Sequence, residues 1–204
     1  MENIKTVEDL IKSYKKLPGI GSKTAERLAY ASLNLKKEEI DEFVSALESI
    51  ETKIHFCPKC GMYIDTPFCP ICDDASRDNK TLVVLTSFKT LMGFEKSGQY
   101  HGKYFILNGT ISPSKGIDGE KIKLPVLTKQ VEESKELEEV IIACDSTLEG
   151  ELTSRYVYKQ LHKVRPELKI SRLAYGLPIG ADLEYVDDQT IALSFLSRTA
   201  MKGE

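Results

Sequence analysis

No apolar run in this 204-residue chain comes near the roughly 20 residues that a membrane-spanning helix needs. The opening Met1-Glu2-Asn3-Ile4-Lys5 lacks the basic-then-apolar pattern of a secretory signal, so the expectation is a cytoplasmic protein with no membrane partner. A global positive field is missing as well, since the formal charge is −3. That excludes a histone-like, purely electrostatic nucleic-acid binder and leaves local clusters of Lys and Arg as the route to phosphate. Internal repeats and low-complexity segments are absent too. What remains is an ordinary globular composition, 41% apolar, with length for one large or two small cores.

Cysteine is scarce, yet four of the five cysteines form the pairs Cys57-Pro-Lys-Cys60 and Cys69-Pro-Ile-Cys72. In a reducing compartment matched Cys-x2-Cys pairs favour a metal over disulfides. Four thiolates at about 2.3 Å satisfy Zn²⁺ and leave no position for water or substrate, so the spacing predicts a structural zinc site. The fifth, Cys144, follows Val140-Ile141-Ile142-Ala143 and reads as a small buried strand residue.

Leu10, Ile11, Tyr14 and Leu17 repeat at helical spacing after a start signal at Thr6 to Asp9, and Ile40, Phe43, Val44, Leu47 and Ile50 form a second stripe. Both stripes are read as core packing. Between them Leu17-Pro18-Gly19-Ile20-Gly21-Ser22 leads into a helix over 23–33, with Ser22 as the expected N-cap. Gly19 and Gly21 let a backbone approach closely. The amides freed at the helix start, together with Lys23 and Arg27, then suit a phosphate whose base sequence goes unread. Lys12, Lys15 and Lys16 either extend this basic face or form a solvated surface.

Residues 53–78 are rich in Cys, Pro, Gly and Asp with little periodicity, which predicts a metal-organised module without a core of its own. Beyond Lys80, short apolar runs at 82–85, 104–107, 140–143 and 168–173 alternate with helical segments at 88–96, 126–139 and 152–164. Such alternation predicts an α/β domain with a mainly parallel sheet. A Gly/Pro-rich loop at 176–180 and a helix over 189–196 close the chain. The fold expected is α+β in several parts: a helix-hairpin-helix over 1–52, a four-cysteine zinc module over 53–78, an α/β domain over 79–175, and a C-terminal loop and helix over 176–204.

The sheet half has the outline of a Toprim domain, in which a glutamate after the first strand and a later Asp-x-Asp pair hold Mg²⁺. Here the first strand runs into Leu85-Thr86-Ser87 and the later one ends Cys144-Asp145-Ser146-Thr147. One carboxylate stands where three are needed for strand passage or nucleotidyl transfer. Asp145 reads as a strand-end turn residue. Glu149-Gly150-Glu151 lies at an expected helix start, where the helix dipole favours negative charge; the competing reading is a contact surface for a basic partner.

The order of parts resembles the RecR family of bacterial recombination mediators. The resemblance covers nearly the whole chain and is carried by residues 17–29, the four cysteines, 109–119, 147–151 and 174–187. It implies a DNA-binding protein without catalytic activity that acts with RecO, and in some contexts RecF, to load RecA at single-stranded gaps. It also implies a homo-oligomer, either a dimer or a ring tetramer. Lys23 and Arg27 match positions linked to DNA binding, and Glu149 and Glu151 match acidic positions linked to RecO contact. The family's usual Toprim glutamate falls here on Thr86 or Leu85, neither of them acidic. The alternatives are an Mg²⁺-dependent Toprim nuclease or primase-type enzyme, which should retain its carboxylates, and a zinc-organised adaptor that touches only proteins.

Overall fold

The computed structural model describes residues 4–200, and the chain divides into two compact units that meet between Ile54 and His55. Each is described by itself. Among the described residues no helix is long and apolar enough to cross a membrane.

The first unit holds three helices: α1 (Lys5–Tyr14), α2 (Ser22–Ser32) and α3 (Lys37–Lys53). α1 begins one residue before the expected Thr6, with no side chain capping it. α1 packs on α2 through small residues, with Val7, Ala25 and Ala29 buried and the Tyr14 hydroxyl 2.8 Å from Ser32 Oγ. Alanine at 25 and 29, four residues apart on one helical face, allows this close approach. α3 departs from the expectation of a packed stripe. It buries no residue, and Phe43, Val44, Leu47 and Ile50 are each about half exposed.

The second unit is built on a four-stranded sheet of order β4-β3-β5-β6. Its strands are β3 (Asp78–Leu85), β4 (Gly102–Ile106), β5 (Glu139–Ala143) and β6 (Lys169–Arg172), and every pairing is parallel. The intervening helices are α4 (Phe88–Ser97), α5 (Leu124–Glu133) and α6 (Leu148–Val164); α7 (Asp188–Leu196) follows the sheet. The period-2 alternation of side chains sorts the strands between two cores. Leu82, Val84, Phe105, Val140 and Ile142 join Leu127 and Val131 of α5 and Val157 and Leu161 of α6. Val83, Leu85, Tyr104, Ile106 and Ala143 face the other way, toward Leu91 of α4 and the cysteine segment.

That second core takes in the cysteine segment, which has no separate core of its own. Its short hairpin, β1 (His55–Phe56) and β2 (Tyr63–Ile64), belongs to a segment whose Cys57, Cys60, Met62, Ile64, Cys69 and Ile71 are all buried in the core shared with the sheet. A further difference concerns α5, expected to run to 139. The helix stops at Glu133 because the Arg165 guanidinium donates to the carbonyls of Val131, Ser134 and Leu137, satisfying the groups that further helix would have used.

Candidate metal centre and nucleic-acid interface

The four cysteines converge as their spacing predicts. All four Sγ atoms lie within 4.8 Å of one another, with Cys57 and Cys72 at 3.8 Å and Cys60 and Cys69 at 3.6 Å. Tetrahedral bonds of about 2.3 Å would set sulfurs about 3.8 Å apart, so the cluster fits a four-coordinate metal with no vacant position. Backbone geometry shapes both knuckles. Gly61, at φ +76°, closes the first turn, with its N–H 2.9 Å from the Cys57 carbonyl, and the Cys69 N–H donates at 2.7 Å to the Asp73 carboxylate.

The surroundings pull the thiols in different directions. The hydrogen bond to Cys72, followed by burial, pushes the Cys60 thiol up, and burial first of all takes Cys69 to about 11. For Cys57 burial is again the largest influence and raises the pKa, but hydrogen bonds from the N–H groups of Cys60 and Lys59, with those to the Cys60 and Cys69 thiols, together outweigh it and the net direction is down. A bound cation removes the conflict by taking the place of the protons.

Three residues that the sequence did not mark tie the cysteine segment to the rest of the unit. The Lys103 ammonium, from β4, donates to the carbonyls of Ile71 (2.9 Å), Cys72 (3.3 Å) and Asp74 (2.8 Å). Asn108, at φ +57°, donates from Nδ2 to the Gly61 carbonyl at 2.8 Å. Lys123, also left-handed at φ +55°, places its ammonium 3.6 Å above the Phe56 ring, and burial lowers its pKa. An asparagine tolerates that backbone region through its short polar side chain; a lysine there is uncommon. Residues so far from the knuckles in sequence carry no local signal of this role.

In the hairpin Gly19 has φ +81°, which favours glycine, and nothing would crowd a Cβ at Gly21. Gly21, and not Ser22, is the N-cap. Its backbone is extended, Ser22 is the first helical residue, and no side chain caps the helix. Glycine at this position leaves the first-turn amides without an internal acceptor and open to an external one. Lys23 and Arg27 are exposed one turn apart on α2. Of the further lysines Lys12 pairs with Asp9 at 3.2 Å, while Lys15 and Lys16 are exposed.

Leu85 is fully buried at the end of β3, whereas the Thr86 hydroxyl lies 3.5 Å from the Asp145 carboxylate. Thr86 therefore faces the acid position, and a single carboxylate, exposed Asp145, stands there. The Glu149-Gly150-Glu151 turn proves unequal. Glu149 makes no ion pair among the described residues, but Glu151 accepts hydrogen bonds from Arg155 (2.9 Å), Arg172 (3.1 Å) and the Tyr175 hydroxyl (2.8 Å). The bond from Arg155, then that from Tyr175, holds its carboxyl below the usual range. Gly150 is required because a Cβ there would collide with the Asp145 carbonyl.

An α/β domain of Toprim outline, joined to a four-thiolate cluster and a glycine hairpin between two helices, defines a DNA-metabolism protein class without the class's usual acid cluster. Family comparisons agree in outline. Residues 7–50 match the family described as RecR, helix-hairpin-helix, residues 80–174 the Toprim domain, and residues 176–199 RecR, C-terminal. The recombination protein RecR of Limosilactobacillus fermentum is 39% identical over 202 residues, covering 98% of this chain and all of the relative. That of Leuconostoc mesenteroides is 40% identical over 203 residues, with 98% and 100% coverage. The chain belongs to the RecR family of recombination proteins, and with that membership goes a role in recombination and repair.

Proposed function

We propose that this chain is a non-catalytic, cytoplasmic recombination mediator that binds DNA through the Gly19–Gly21 hairpin, carries a structural zinc ion, and acts with RecO, and with RecF, to load RecA at single-stranded gaps. The observation that carries the reading is the uncapped start of α2, with Lys23 and Arg27 exposed beside it. Amides and two cations together hold phosphate without reading bases, as a mediator acting at any gap requires. The zinc assignment rests on the sulfur separations and the all-thiolate donor set, which suits a closed tetrahedral site and takes no part in chemistry. Cys57, Cys60, Cys69 and Cys72 would hold the ion.

Assembly into a dimer or ring tetramer is supported by α3. Its exposed Ile40, Phe43, Leu47 and Ile50 follow a 3-4-3 spacing, the seam of a helix that packs on another helix. RecO contact is assigned to the start of α6, with Glu149 as the free carboxylate and Glu151 as its organiser. A Toprim enzyme would need more oxygen ligands than Asp145 supplies, so Mg²⁺ or Mn²⁺ should not elicit nicking, relaxation or extension of DNA.

Light scattering with and without a gapped duplex, repeated on Lys23→Ala with Arg27→Ala over a salt series, tests the reading. Each lost phosphate contact should flatten the plot of log affinity against log salt by about 0.7 to 0.9, with zinc content and assembly unchanged. Unaltered binding by the double variant would remove the hairpin as the DNA site.

A further inference from the structure

Between Glu151 and Glu167 the chain has no acidic residue but carries Arg155, Lys159, Lys163 and Arg165, an excess that stands out in a chain of net charge −3. Arg165 is turned inward to stop α5, but Arg155, Tyr158, Lys159, His162 and Lys163 are all exposed on α6. Their spacing of three and four residues gathers them along one side of the helix. Lys159 and Lys163 enter no ion pair among the described residues. Arg155 and Arg172 share the single carboxylate of Glu151, so the local balance stays positive.

Aromatic rings are interleaved with these charges. Tyr158 and His162 stack with ring planes 6° apart and centroids 5.6 Å apart. Beside them α6 and β6 enclose a cleft of about 230 Å³. It is lined by Ile142 and Ile170, by Tyr158, and by Arg155 and Arg172 with the Glu151 carboxylate they share. The Arg172 guanidinium carbon lies over the Tyr175 ring, 4.6 Å from its centre. Flat rings and guanidinium planes beside apolar side chains accept an unpaired base, while lysines one helical turn apart follow the phosphates next to it. A duplex keeps its bases stacked and would offer the lysines its backbone alone.

We infer that the outer face of α6 with the adjoining β6 cleft is a second nucleic-acid surface, separate from the hairpin, which binds single-stranded DNA by stacking a base at Tyr158 and Arg172 and neutralising phosphates with Lys159 and Lys163. It extends the reading of the chain as a DNA-binding protein but stands on different residues. A mediator with one surface blind to strand pairing and another that prefers unpaired bases can recognise the junction where a duplex meets a gap.

The test is fluorescence anisotropy with a labelled oligothymidylate and with a labelled duplex of equal length, over a salt series. Tyr158→Ala should weaken oligothymidylate binding about fivefold or more, the equivalent of about 1 kcal/mol, and leave duplex binding nearly unchanged. Lys159→Ala with Lys163→Ala should flatten the single-strand salt plot by about 1.4, twice the per-phosphate slope. All three side chains are exposed, and the lysine pair keeps the test decisive should Tyr158→Ala fail to fold. Normal oligothymidylate binding by both variants would overturn the inference. So would retained oligothymidylate binding in the lysine variant together with lost binding of polyglutamate, which would make this face a dock for an acidic protein. The hairpin variant Lys23→Ala with Arg27→Ala, measured in parallel, separates the two sites: its failure to weaken binding would sink the hairpin reading and leave this one standing.

Discussion

The helical unit and the sheet unit differ in how much of their apolar surface each can bury alone. In the helical unit the buried apolar positions among the described residues are Val7, Ala25 and Ala29, and α3 contributes none. In the sheet unit two dense clusters close on opposite faces, and one of them takes in the cysteine segment. So small a core leaves most of the helical unit's apolar stripe in water, whereas the sheet unit buries its own apolar surface in two clusters. On the function proposed, assembly would be linked to folding in the first unit, and metal binding to folding in the second.

The sharpest way to break the sheet unit's independence is Cys60→Ser. Structural zinc is worth about 10–16 kcal/mol in small finger peptides, so the variant should lose its metal by elemental analysis and its near-UV circular dichroism together. A native spectrum without metal would refute the coupling. Next in size is Leu127→Ala, at a fully buried site on α5, which should destabilise the chain by about 2–5 kcal/mol in denaturant titration while leaving the assembly state alone. On the helical side Phe43→Asp with Leu47→Asp should lower the mass seen by light scattering, since each side chain buried in a partner contributes about 1.5–3 kcal/mol. An unchanged mass would show that α3 is not an assembly face.

The smallest effect concerns pH. The hydrogen bond from Arg77 holds Glu95 below its ordinary 4.5, outweighing burial, which acts the other way. A depressed carboxylate stabilises the fold fully above its unfolded pKa and loses that contribution as pH falls through the folded value. Parent and Glu95→Gln should thus differ in melting temperature at neutral pH, begin to approach one another as pH falls below about 4.5, and meet only below the lower folded value. A gap that persisted in acid would show that Glu95 acts through packing.

The sheet was legible because its strands are short apolar runs between helical segments, and the four cysteines because ligand spacing is a local property. α3 was misread as core: a stripe at 40, 43, 47 and 50 says that a face will be covered but not whether its own chain covers it. The end of α5 was hidden because it is set by Arg165, about 30 residues away. Glu151 looked exposed and available, and only the fold brings Arg172 and Tyr175 to it. The same holds for Lys103, whose three carbonyl partners lie about 30 residues earlier. Thr86 and Leu85 could be told apart only once the strand's two faces were assigned.

The clasp at Lys103 also bears on how this protein fails. β4 is an edge strand, and with the residue after it carries the run Tyr104-Phe105-Ile106-Leu107, uncharged and strongly inclined to pair. The first knuckle lies along it, with the Ile106 N–H donating to the Cys60 carbonyl at 2.7 Å. The opposite edge, β6, protects itself by being four residues long and carrying Lys169 and Arg172. If the four cysteines hold a metal, its loss would loosen the knuckle and bare β4, so a metal-starved population should be lost to intermolecular strand recruitment and precipitation before it is lost to unfolding, and chelation should be reversible only while the protein is dilute.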